Sequence, residues 1–104
     1  MADTFFLGYC DDTRALLAHL DVEAARRAAS VRVLDPDPRV VEALCERGVN
    51  ATTADLWDAA ALRAAGVDGA KTVVAFAERV GGSTHRLERV VRAVCPTARF
   101  FVVP

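Results

Sequence analysis

Hydrophobic residues recur along this chain in two alternating rhythms. Thr4-Phe5-Phe6-Leu7-Gly8-Tyr9 is a short apolar run ended by a glycine and the pair Asp11-Asp12, the pattern of a strand buried on both faces. From Asp12 the period lengthens, with Leu16, Leu17, Leu20, Ala24, Ala25 and Ala28 at three-to-four spacing, which predicts an amphipathic helix reaching Ser30. Asp12 is the expected N-cap, and Asp21 is a second cap position if the helix breaks near residue 20. Val31-Arg32-Val33-Leu34 reads as the next strand, stopped at Asp35-Pro36-Asp37-Pro38. Proline in the first turn behind an aspartate starts a helix. Val40, Val41 and Leu44 carry its inward stripe as far as Gly48.

The same grammar repeats twice. Val49 to Thr53 reads as a strand, followed by Asp58 as cap, Leu62 on a short helix and Gly66 at its end. Thr72-Val73-Val74-Ala75-Phe76 reads as a fourth strand, and Gly81-Gly82 leads to Ser83 as the cap of a helix carrying Leu87, Val90, Val91 and Val94. Pro96 stops that helix, and Arg99 to Val103 form a fifth strand. Five apolar strands alternating with four helices predict an α/β fold, a doubly wound parallel sheet with helices on both faces. Such sheets bind ligands outside the carboxyl ends of their strands, where strand order reverses. The loops after residues 9, 35, 54, 76 and 103 are therefore the places to look.

Composition narrows the function classes. A chain of 104 residues, 53% hydrophobic, is the size of one domain, and a single core can hold it without staples; residues 1–104 read as one unit. Net charge is -1, with 13 basic against 14 acidic residues, so no long-range field gathers nucleic acid or anionic lipid. Charges interrupt every apolar stretch before the ~18 residues that a spanning helix needs. The N-terminus lacks the basic and apolar regions of a signal peptide. A cytoplasmic protein is expected, without direct membrane insertion. Cys10, Cys45 and Cys95 are odd in number and widely spaced, which fits neither a disulfide framework nor a zinc knuckle.

The segments Val33-Leu34-Asp35-Pro36-Asp37-Pro38-Arg39-Val40-Val41-Glu42-Ala43-Leu44, Gly48-Val49, Ala54-Asp55-Leu56-Trp57-Asp58 and Leu62-Arg63-Ala64-Ala65-Gly66-Val67 resemble, in order and spacing, the N-terminal Rossmann domain of RCK (KTN, TrkA-N) proteins, regulators of potassium channels and transporters. The resemblance spans most of residues 4 to 104 and is most specific over residues 33 to 76. It implies a Rossmann-like fold that binds NAD(H) or an adenine nucleotide as a regulator and does no chemistry on it. It also implies pairing, as a homodimer or higher homo-oligomer, and a membrane potassium channel or transporter as partner. RCK proteins continue into further helices and a ligand domain, so coupling to a pore is expected to run through a partner chain. Transferred residue by residue, the cofactor site comprises Gly8, Cys10, Asp12 and Thr13 at the phosphate loop, Asp35 at the ribose, and Asp55 and Leu56 near the adenine.

The departures fall on the phosphate loop. Where the family has Gly-x-Gly-x-x-Gly, this chain has Gly8-Tyr9-Cys10-Asp11-Asp12-Thr13, and only the first glycine is kept. The second glycine admits a pyrophosphate to the backbone and the third allows close packing of helix on strand. Asp11 and Asp12 add negative charge where a phosphate would accept amide hydrogens. Simpler roles stand beside each functional one. Asp35 is either a ribose acceptor or a turn residue, Asp55 and Asp58 are turn or cap candidates, and Trp57 is an adenine cover or a packing residue. Three classes follow: a regulatory nucleotide-binding module, a degenerate Rossmann scaffold for protein interaction, and a dehydrogenase fragment. The last lacks a group placed for hydride chemistry. A receiver-like Mg²⁺ pocket of Asp11, Asp12 and Asp55 is the remaining alternative, although Phe101-Val102-Val103-Pro104 offers no lysine to a phosphoryl group.

Overall fold

A computed structural model describes residues 3–19, 31–80 and 83–103. Its elements run β1 (Thr4–Leu7), α1 (Asp11–His19), β2 (Val31–Asp35), α2 (Pro38–Glu46), β3 (Ala51–Thr53), α3 (Ala59–Ala64), a 3₁₀ turn at Val67–Gly69, β4 (Thr72–Phe76), α4 (Ala77–Val80), α5 (Thr84–Val94) and β5 (Arg99–Val103). The five strands form one sheet in the order β3-β2-β1-β4-β5, and every neighbouring pair is parallel. This is the Rossmann-like doubly wound α/β architecture expected from the alternation of strands and helices. Strand order reverses at β1, which is flanked by β2 on one side and β4 on the other.

Alternation along the strands divides the apolar residues between two cores. Phe5, Leu7, Leu34, Val73 and Ala75 face the larger core, which is closed by Leu62 of α3 and by Leu87, Val91 and Val94 of α5. Phe6, Val33 and Phe76 face the other, closed by Leu44 of α2 with Leu16 of α1 packed against it. The Phe6 and Phe76 rings meet edge to face with centroids 5.8 Å apart, a favoured aromatic geometry. Because β1 lies in the middle of the sheet, its side chains are needed on both faces at once.

Local signals act where the sequence placed them. Asp37 caps α2 by accepting from the Arg39 amide, with Pro38 as first helical residue, and Asp58 caps α3 through the Ala60 amide. Gly66 ends α3 at φ 98°, a left-handed conformation that glycine adopts without a Cβ penalty. Several local readings differ from expectation, β3 among them, which begins at Ala51 rather than Val49. Helix α1 starts at Asp11, so Asp12 lies inside its first turn and the cap position falls to Cys10, whose carbonyl takes the first helical bond from Arg14. The reading of that helix beyond His19, including Asp21 as a second cap, lies outside the described residues. Ser83 precedes α5, but its side chain makes no capping bond. A short helix unforeseen from the sequence, α4, follows β4 directly.

Leu7 is fully buried on the central strand. Leu7→Ala is expected to lower unfolding free energy by about 2–5 kcal/mol, read as a lower urea midpoint with an unchanged slope.

Candidate functional site

The carboxyl ends of β1, β2 and β4 meet at the reversal of strand order, and one carboxylate dominates the place. Asp35, last residue of β2, is fully buried. Its Oδ2 accepts from the Tyr9 amide at 2.8 Å and from Arg79 Nε at 2.9 Å. Its Oδ1 accepts from the Asp37 amide at 2.9 Å and from Arg79 Nη2 at 2.7 Å. An ionised carboxylate offers about four lone-pair directions, and these donors fill them. Burial alone would push the Asp35 carboxyl up, but the hydrogen bonds from Arg79, Asp37 and Tyr9, with the guanidinium charge, hold it below the ordinary carboxylate range. The same pairing raises Arg79 above the usual arginine value, against the cost of its own desolvation.

Arg79 reaches Asp35 from α4, one turn beyond the end of β4. Its chain crosses the β1 loop on the way. A Cβ built on Gly8 would lie 2.5 Å from Arg79 Cγ and 2.9 Å from its Cβ. Gly8 therefore stays glycine for two reasons, its φ of 98° and the arginine stem laid across it. The Arg79 side chain as a whole remains partly open, 34% exposed.

The β1 loop is closed by Thr13 and by groups of β2. Thr13, standing where the family has its third glycine, is buried; its hydroxyl donates to the Gly8 carbonyl at 2.9 Å and accepts the Cys10 amide at 3.1 Å. A residue at the third helical position reaching back to the cap amide is one half of a capping box. The Gly8 amide donates to Leu34 O at 2.7 Å, and the Tyr9 amide goes to Asp35. The three amides from Gly8 to Cys10 are thus satisfied within the protein. A dinucleotide cradle needs such donors free and the backbone bare. The arrangement as it stands fits the adenosine half of a nucleotide better than a pyrophosphate, and then only with Arg79 displaced.

The remaining candidates lie further out. Asp55 is exposed beyond β3 and accepts the Trp57 amide at 2.9 Å, a local turn bond. Leu56 is buried in the larger core. Trp57 is half-exposed, with the Arg86 guanidinium 5.9 Å from its ring centre. Asp11, Asp12 and Asp55 do not converge, because β2 separates the β3 end from the β1 loop. The ligand-type atoms that approach one another among the described residues are those of Cys10, Asp12 and Glu78, within 4.8 Å. Arg79 and Glu78 were missed by reading the sequence. The available signal was a charged pair one residue beyond an apolar strand at the reversal point.

Comparison with known proteins places this geometry in context. The TrkA-N domain family model matches residues 7–99. Among solved structures, the TrkA-N domain of the inner membrane protein ybaL from Escherichia coli is similar at 17% identity and a TM-score of 0.78, over 98% of this chain and 73% of that one. The NAD(P)-binding domain of an exopolyphosphatase-related protein from Archaeoglobus fulgidus is similar at 18% identity and a TM-score of 0.74, over 98% of this chain and 72% of that one. At these identities the likeness concerns the fold. A comparison with curated proteins found no match.

Two outcomes test the geometry. Asp35 has a folded pKa below its unfolded value of about 3.9, so its contribution is fully present above about pH 4 and is lost as pH falls through the folded value. Denaturation at pH 7 and pH 3 should show Asp35→Asn less stable than wild type at pH 7, with the difference shrinking at pH 3. Thr13→Val keeps the shape but strands the Gly8 carbonyl and Cys10 amide; a loss of about 1–3 kcal/mol is expected in urea.

Proposed function

The chain belongs to the TrkA-N domain family, and from that premise we propose that it is a non-catalytic, nucleotide-responsive regulatory module of a potassium channel or transport system. The carrying observation is Asp35, a buried carboxylate held ionised at the end of β2, beside the reversal of strand order. Its position suits the hydroxyl pair of an adenosine ribose, in NAD(H) or an adenine nucleotide. A carboxylate kept below the ordinary range accepts hydrogen bonds well and transfers protons poorly at neutral pH, which favours a binding role over catalysis. In this reading the module works at the cytoplasmic face as a homodimer and transmits its state to a membrane-embedded partner. Among the described residues no helix is long and apolar enough to cross a membrane.

A second reading is a protein-interaction scaffold that has lost its nucleotide. The self-satisfied loop of Gly8, Cys10 and Thr13 favours it. The two readings part on a thermal-shift panel with NAD, NADH, AMP, ADP, ATP and Mg²⁺. A nucleotide at 100 times its dissociation constant stabilises by about 2.7 kcal/mol, several degrees for a domain of this size. The expected result is a rise with at least one nucleotide that disappears in Asp35→Ala, whatever the lower starting melting temperature of that variant. A flat panel supports the scaffold, and a nucleotide shift that survives Asp35→Ala removes Asp35 from the site.

A further inference from the structure

We infer that Arg79 is an exchange latch, which occupies the ribose acceptor of the site in the closed state and becomes the phosphate-binding residue when a nucleotide displaces it. The inference rests on the nucleotide reading above and concerns how that site is opened and for which ligands. The Arg79 fork presents two N–H donors, one to each oxygen of Asp35, at 2.9 and 2.7 Å. A ribose with free 2′ and 3′ hydroxyls presents two donors on adjacent carbons. Withdrawal of the guanidinium frees one lone pair on each oxygen while the Tyr9 and Asp37 amides keep the other two. Arg79 is, in hydrogen-bonding terms, an internal substitute for the ribose diol.

The displaced arginine needs a new partner. Its stem lies across Gly8, with Arg79 Cγ 2.5 Å from where a Cβ would stand, and this is the line that a phosphate chain follows from the ribose across the β1 loop. Guanidinium binds phosphate and carboxylate by the same paired geometry. Loop amides that would otherwise serve the phosphate are engaged by Thr13, Leu34 and Asp35, and Asp11 and Asp12 at the start of α1 oppose an anion. A cation released beside the loop supplies what the backbone no longer offers. The ligand class follows: a ribonucleotide with a free vicinal diol and at least one 5′ phosphate. A nucleoside has the diol but gives the freed arginine nothing to bind.

The test is isothermal titration of the whole chain with ADP and with adenosine. Wild type is expected to bind ADP at least about tenfold more tightly than adenosine, the size of one charge-assisted contact. In Arg79→Ala the acceptor is free and the phosphate partner gone, so adenosine should bind more tightly and the preference for ADP should fall to one or below. An unchanged ADP-to-adenosine ratio in that variant, or unchanged adenosine affinity, overturns the latch while leaving the nucleotide reading in place. Should Arg79→Ala fail to fold with Asp35 unpaired, Arg79→Lys keeps the charge but loses the fork. It should gain affinity for adenosine and retain a preference for ADP, and no gain overturns the exchange. Absence of binding by either probe to wild type and variants overturns the nucleotide reading itself, and the latch with it.

Discussion

A carboxylate with no exposure to water sits at the carboxyl end of β2, and much of the local structure is arranged to keep it charged. An unpaired ion there would cost several kcal/mol, so Asp35 collects donors from each side: the β1 loop through Tyr9, the start of α2 through Asp37, and α4 through Arg79. Three chain segments that are distant in sequence are fixed to one another by a single side chain. The consequence for function is direct. A ligand that uses Asp35 must replace one of these donors, and only Arg79 can leave without unwinding backbone.

The β1 loop shows the same preference for internal satisfaction. A glycine-rich turn leaves its amides open to phosphate, whereas Thr13 brings a hydroxyl that serves both the Gly8 carbonyl and the Cys10 amide. That exchange replaces a receptor by a cap. It stabilises the entry to α1, where Cys10 holds the cap position, and it removes a donor from the crevice. Asp11 and Asp12 extend the logic, since negative charge in the first turn favours the helix and repels the anion that the same helix end would otherwise attract. Loop, cap and latch thus agree on a closed resting state, with its opening set by the Arg79–Asp35 pair.

The strands, the sheet class and the caps at Asp37 and Asp58 were legible in the sequence because each rests on a short-range rule: apolar runs bounded by turn residues, and aspartate before a helical period. Asp35 was legible as a position but not as a state. Its burial depends on neighbouring strands, and its partner lies 44 residues away on a helix of four residues, too short to show a period. Thr13 was read as a damaged glycine because motif comparison registers what a position lacks. What the threonine does instead depends on the spacing of a hydroxyl from Gly8 and Cys10, which only three-dimensional geometry gives. The cap at α1 was misplaced by one turn's ambiguity, Asp12 being a good cap residue that lies two positions inside the helix.

The proposed regulatory role requires that occupancy become a difference between two states, and a ligand can shift such an equilibrium only by its differential affinity for them. An open cradle has little to offer in this respect, since ligand enters it with few internal contacts exchanged. A crevice whose key acceptor is already bonded to an arginine on another element has two defined arrangements of the same groups. Arg79 belongs to α4, which joins β4 to the approach of α5, so its release bears on the half of the sheet opposite Asp35. In the proposed exchange the loss of the dinucleotide fingerprint is therefore not a step away from regulation. It moves phosphate recognition from fixed backbone amides to a side chain that must break an existing ion pair to perform it, and that broken pair is the difference a partner chain can read.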